Sequence, residues 1–179
     1  MIVEKPNNVE VFPEQRVETP IIIDFPAEKQ SEKENVIFIE GVSKPKFNYD
    51  IPLDKAMESL DGFSRIDNYS ANFRGLEVRA QRSLEHLSDK QLQFQYKEGL
   101  SPKDINGDTI ILHHHEQNVA GPIIEIPRPN HKMGNIKQHP LGNSGGVGSG
   151  AEREAFNAWR AQYWKARYAE ELIRRGVIK

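Results

Sequence analysis

Cysteine is absent from the 179 residues. No disulfide can staple the fold, and any metal site has to come from His, Asp, Glu or Asn side chains. The same absence leaves the redox compartment open. Long apolar runs are missing too. The longest, 20–23 and 109–112, have strand length and fall far short of the roughly 20 residues that span a bilayer. No membrane insertion is expected of this segment. A basic-then-apolar leader is also missing, because acidic residues and prolines come almost at once. Export is therefore expected to rely on a larger parent polypeptide. Neither sign of charge dominates, with 24 Lys/Arg against 26 Asp/Glu and a net charge of −2. A nucleic-acid partner usually calls for a basic surface, so the distribution matters. Residues 1–50 carry 6 basic against 10 acidic side chains, whereas residues 101–179 carry 11 against 8. The basic excess sits in the part of the chain that holds most of the histidines.

What is present divides the chain in two. Residues 1–52 are rich in proline and acidic side chains, with short β-like pieces at 9–12, 21–23 and 36–39. Prolines 6, 13, 20, 26, 45 and 52 forbid a helix there and discourage central strands. This region reads as an extended arm with short strands, or as a partly disordered linker. From 53 onward, ordered elements are expected. Leu53, Met57 and Leu60 share a helical face, closed by Asp61-Gly62. Leu76, Val78 and Ala80 alternate as in a strand, and 83–87 could open a helix. Ser88 and Gln91 form a capping-box pair and Gly99 a stop, which predicts a helix over 89–98. Turn signals at Ser101-Pro102 and Asn106-Gly107-Asp108 deliver the chain into a strand at 109–114. Gly121-Pro122 then leads to a strand at 123–126, ended by Pro127 and Pro129, so a hairpin with a loop of about eight residues is expected. A short helix could begin near Pro129-Asn130. Ser149 and Glu152 form a second capping box before an Ala/Glu/Arg/Lys-rich helix over 151–175, stopped by Gly176. Trp159, Tyr163, Ala166 and Ile173 make its face to bury. Arg153, Arg160, Lys165, Arg167, Arg174 and Arg175 spread over the remainder.

Five of the six histidines fall between positions 113 and 139. On a strand, His113 and His115 point to one face and His114 to the other. One imidazole can then hold a metal while its neighbour stays free as a base, the two parts that phosphodiester hydrolysis needs. A register shifted by one residue would move those roles to His114 and His115. His131 and His139 would lie roughly 12 Å apart on an unbroken helix, too far to share an ion unless Gly134 and Pro140 bend the chain. Competing motifs fail. His115-Glu116-Gln117-Asn118-Val119 lacks the second histidine of the zinc-protease HExxH pattern. The run 145–150 is glycine-rich and opens a helix, but no Gly-Lys-Ser/Thr follows it. It reads as a hinge with a helix cap, where a phosphate contact is the secondary reading. No cysteine nucleophile exists, and no serine lies in a Gly-x-Ser-x-Gly context.

The stretch 107–117, with Leu112-His113-His114-His115 at its centre, followed by 124–128, His131, and His139 ahead of Gly145-Gly146, resembles the LHH-type nucleases. These belong to the HNH/endonuclease VII (His-metal finger) superfamily and often form toxin domains of bacterial polymorphic toxins. The resemblance spans about residues 100–150, and Pro140 to Ser144 separate His139 from the Gly-Gly pair. It implies an α+β fold, with a ββα-metal core at about 107–140, additional helices, and a nuclease domain over 53–179. It further implies His113, His131 and His139 as metal ligands, His114 as general base and Arg128 as a phosphate contact. His115, Glu116 and Asn118 are supporting candidates that would orient the imidazoles. One divalent ion (Zn, Ni, Mn or Mg) is implied as cofactor, and an all-imidazole set favours the borderline ions over Mg²⁺. The implied activity is endonuclease cleavage of DNA, with RNA as the other nucleic acid to test. A cognate immunity protein is the implied partner, after secretion or delivery into a target-cell cytoplasm within a larger toxin. Two other readings stay open: a non-catalytic metal-stabilised binding module, and an RNase that needs no metal.

Overall fold

The computed structural model describes residues 50–142 and 145–179. They belong to one compact unit, Pro45–Lys179. The short strands expected at 9–12, 21–23 and 36–39 lie outside the described residues. Among the described residues, no helix is long and apolar enough to cross a membrane.

Among the described residues the fold is α+β, with three α-helices and a small mixed sheet, consistent with a nuclease-type ββα-metal core. Helix α1 covers Leu53–Ser59, strand β1 Phe63–Asp67, β2 Ser70–Phe73, β3 Leu76–Arg79 and α2 Asp89–Glu98. Strand β4 covers Ile110–His114, β5 Ile123–Pro127 and α3 Gly150–Arg174. The sheet order is β1-β2-β3-β5-β4. A β1–β2–β3 meander joins the β4–β5 hairpin through a parallel β3–β5 contact, and every other neighbour is antiparallel.

Several elements follow from local chemistry. Ser88 caps α2 through a reciprocal capping box with Gln91, and Gly99 ends it at φ +63°. A Cβ at Gly99 would stand 3.1 Å from the Ala161 Cβ, so glycine also lets α2 close against α3. The β4–β5 hairpin forms with the expected eight-residue connection, pairing His113 with Ile124 and His114 with Ile123. Others differ from expectation. The turn between β2 and β3 carries a weak signal: Phe73 and Leu76 are joined by Arg74-Gly75, both at positive φ. Such a two-residue turn usually advertises itself with Asn or Asp before glycine. Residues 83–87 form a turn and no helix, since only Leu84 and Leu87 find the core. The helix expected near Pro129-Asn130 shrinks to a single 3₁₀ turn, Arg128–Asn130. Gly134, Pro140 and Gly142 interrupt the chain beyond that turn, where the apolar side chains Met133, Ile136 and Leu141 all face solvent. With no face to bury, this segment has nothing to hold a helix together. Ser149 starts α3 without the side-chain cap expected with Glu152.

Helix α3 packs across α1 and α2 and carries the largest buried side chains. Tyr163, Trp164, Ala166, Tyr168, Ala169 and Leu172 are wholly buried, while Trp159 and Ile173 are only partly so. Phe156, Trp159 and Tyr163 stack in series, with Phe73 of β2 tilted against the last two. Arg167, expected on the polar remainder, is 5% exposed. It pairs with Glu125 of β5, which is 1% exposed and also accepts hydrogen bonds from Tyr163 Oη (2.6 Å) and the Arg82 backbone N–H (2.6 Å). Arg167 in turn donates to the Arg82 carbonyl (2.8 Å), and burial pushes the Tyr163 hydroxyl well above its ordinary pKa. A periodicity argument could not find this residue, because its charge is neutralised by a strand 42 positions away.

Removing one member of this buried pair should be costly. Arg167→Met is expected to lose about 3–5 kcal/mol in urea denaturation, because Glu125 is left charged and buried. The double variant Glu125→Leu/Arg167→Met should recover most of that loss. A single variant as stable as wild type would show that the pair does not hold α3.

Candidate active site

The site is assembled at the loop end of the β4–β5 hairpin, where His113 and His114 pair with Ile124 and Ile123. Strand alternation buries Ile110, Leu112 and His114 on the side facing α3, and turns Ile111 and His113 the other way. The chain leaves β5, makes its 3₁₀ turn, and runs back through successive turns that carry His131 and His139 to His113. His131 Nε2 lies 3.2 Å from His113 Nδ1 and 3.1 Å from His139 Nε2. The three donor atoms fall within 4.8 Å of one another. Two imidazole nitrogens on one tetrahedral ion, at bond lengths of about 2.0–2.1 Å, would stand roughly 3.3 Å apart. The donor set thus fits a single borderline ion. The helix that would have kept His131 and His139 apart does not form, so both reach the same point.

Electrostatics favour the ligating, neutral form of His113 and His131. Burial, then the neighbouring His131 and His139, lower the His113 pKa to about 4, with the Gln138 backbone pulling weakly the other way. Burial and His139 also lower His131. His113 is neutral at pH 7, and its lone pair is available to a cation.

The returning segment is held by one side chain. Gln117 is 7% exposed, and its Oε1 accepts from the Leu141 backbone N–H (2.7 Å). Its Nε2 donates to the carbonyls of Gly142 (2.6 Å) and Gly145 (3.2 Å). Two hydrogen bonds therefore fix the backbone two and three residues beyond His139. Placing Gln117 requires Glu116 and Gln117 to adopt φ values of +53° and +57° in succession. For non-glycine residues that conformation carries steric strain. A Cβ at Gly146, itself at φ +65°, would lie 3.0 Å from the Gln117 carbonyl oxygen, so the glycine run lets the segment close over this turn.

His114 stands apart from the cluster. It is 6% exposed, its ring lies 4.4 Å from the Phe156 ring, and burial followed by Arg153 lowers its pKa. Even so, it lines the same cleft of about 330 Å³ as His113, His131 and His139. Gln117, Met133, Arg153, Phe156 and Arg160 complete much of the wall. The remaining candidates lie elsewhere. His115, Glu116 and Asn118 are exposed on the turn after β4, where the Asn118 Oδ1 accepts from the Ala120 backbone N–H (3.1 Å). Arg128 is exposed at the far end of the hairpin, its backbone bonded to Thr109, and it does not line the cleft. Gln117, Arg153 and Arg160 carry no sequence signal of a site. Gln117 has the look of a loop residue, and the α3 arginines that of a solvated face.

A hairpin with imidazoles clustered at one end, backed by a helix, is consistent with a core of the ββα-metal kind. Residues 90–170 match the family model described as LHH, a nuclease of the HNH/ENDO VII superfamily with conserved LHH. These residues therefore form an LHH-type nuclease domain, of the class that hydrolyses phosphodiester bonds. The match covers α2, the β4–β5 hairpin and most of α3, with Leu112-His113-His114 supplying the Leu-His-His. No curated protein matches the chain. No solved structure matches it either.

Gln117→Ala should release the 139–145 segment without touching the helical core. Divalent-metal affinity, measured by calorimetry, is expected to fall about 10–100-fold, the usual cost of losing a group that orients a ligand. Far-UV circular dichroism should stay unchanged. Unaltered metal affinity would show that the clamp does not position His139.

Proposed function

We propose that this domain is a metal-dependent DNA endonuclease using one divalent ion, and that it is the effector domain of an interbacterial-competition toxin. The observation that carries the reading is the convergence of His113, His131 and His139, with a fourth imidazole held separately on the same cleft. A bound divalent ion would neutralise charge developing on the phosphoryl and leaving oxygens. His113, His131 and His139 would hold it. His114, braced by Phe156 and kept neutral by burial, would take the proton from the attacking water at a free ring nitrogen. The donor set favours Zn²⁺, Ni²⁺ or Mn²⁺. DNA as substrate and the toxin role rest on the resemblance to LHH-type nucleases. They imply delivery within a larger polypeptide and an acidic immunity protein that blocks the cleft.

Supercoiled plasmid incubated with the protein and Mg²⁺, Mn²⁺, Ni²⁺ or Zn²⁺ tests the catalytic reading. Cutting is expected with at least one ion. His114→Ala should slow it about 10²–10⁴-fold, the range for losing a general base. Plasmid left intact by every ion would overturn the proposal. Chelation separates it from a metal-stabilised binding module: EDTA should stop cutting and leave the fold intact, whereas a structural site would unfold. An RNase that needs no metal would go on cutting RNA in EDTA. For the toxin role, expression of the wild-type domain in bacteria should arrest growth and degrade the chromosome, and His114→Ala should relieve both.

A further inference from the structure

Helix α3 carries arginines at 153, 160, 167 and 174, each seven residues after the last. Seven residues are nearly two helical turns, so the four form one slowly drifting stripe. The lower half of the stripe is paired. Arg167 meets Glu125, and Arg174 meets Glu171 and Glu85. The upper half is not. Arg153 and Arg160 make no hydrogen bond or ion pair among the described residues, although Arg160 is partly buried. Both line the imidazole cleft, and among the described residues no acidic side chain lines it with them. Burial and the neighbouring Arg153 lower the pKa of Arg160, so the two guanidinium groups stand close enough to repel.

Two unpaired like charges side by side, Arg160 partly buried and Arg153 exposed, weaken the free protein unless something else uses them. Guanidinium forks match phosphate oxygens in geometry as well as charge. Arg128, exposed at the far end of the hairpin, does not line this cleft. We propose that Arg153 and Arg160 form a phosphate seat, which holds the phosphodiester backbone of a nucleic-acid strand against the imidazole cluster. This rests on the nuclease reading and names the part of the site that grips the substrate. The seat contacts backbone only, so it favours no base sequence.

The test separates grip from cutting by leaving out the metal. A fluorescently labelled 12-nucleotide single-stranded DNA is titrated with protein in EDTA, and anisotropy is followed at several salt concentrations. Arg160→Gln is expected to weaken binding about 10-fold, and Arg153→Gln/Arg160→Gln more, as befits lost hydrogen bonds between charged groups. Each substitution should flatten the slope of log K against log salt by about 0.7, the value for one phosphate contact on a single strand. Arg174→Gln removes the same charge from an exposed, paired position and should leave the affinity unchanged. Thermal melting supplies a second readout. Because the cleft arginines have no partner among the described residues, the double variant should melt at or above the wild-type temperature. Wild-type affinity in the double variant would overturn the seat while leaving the nuclease reading intact, as would a melting temperature lowered as far as in Arg167→Met. A wild type that neither binds nor cuts nucleic acid would remove both.

Discussion

A carboxylate on the middle of a hairpin strand, shut away from water, has to be neutralised by something. Glu125 sits opposite Leu112 on the histidine-bearing strand and is met by Arg167, Tyr163 and the Arg82 backbone. That requirement fixes α3 across the sheet at one height and one rotation. The rest of the active centre depends on it. Once Arg167 is seated, Phe156, about three turns earlier on the same helix, rests on the His114 ring, and Arg153 and Arg160 enter the cleft. The same arginine stripe is thus structural at one end and open at the other. What decides the difference is the presence or absence of a facing carboxylate.

The cleft end of the hairpin obeys another rule. Its groups are kept neutral and close, with desolvation the largest influence on His113, His114 and His131. Three imidazoles crowd together, and the backbone beside them is strained at Glu116 and Gln117. Strain and crowding destabilise a domain, and they gather where chemistry needs a fixed arrangement. The stable side of the fold, from the aromatic series Phe156–Trp159–Tyr163 to Glu125, offsets that cost.

Much of the scaffold was legible because its signals are local. Ser88, Gln91 and Gly99 lie within α2 or at its ends, so their chemistry marked the helix correctly. Prolines and glycines around β4 and β5 delimited the hairpin for the same reason. The β1–β2–β3 meander was harder. Its strands are four or five residues long; β3 showed in the alternation of Leu76 and Val78, whereas β1 is almost wholly exposed and has no alternation to be read. A helix near Pro129-Asn130 was expected because proline can start one. The absence of any apolar face beyond it counted for more.

The sequence by itself determined the inventory. It concentrated histidine beside a strand end, excluded thiolate ligands and disulfides, and set the boundaries of α2, the hairpin and α3. Tertiary structure alone decided which histidines meet, that Gln117 clamps the segment beyond His139, and that two of the α3 arginines face the cleft while a third is buried. The physical reason is range. Caps, turns and alternation act within a few residues, so they can be read along the chain. The histidine cluster and the arginine pairing join side chains brought together by packing, and packing has no signature in the spacing of residues.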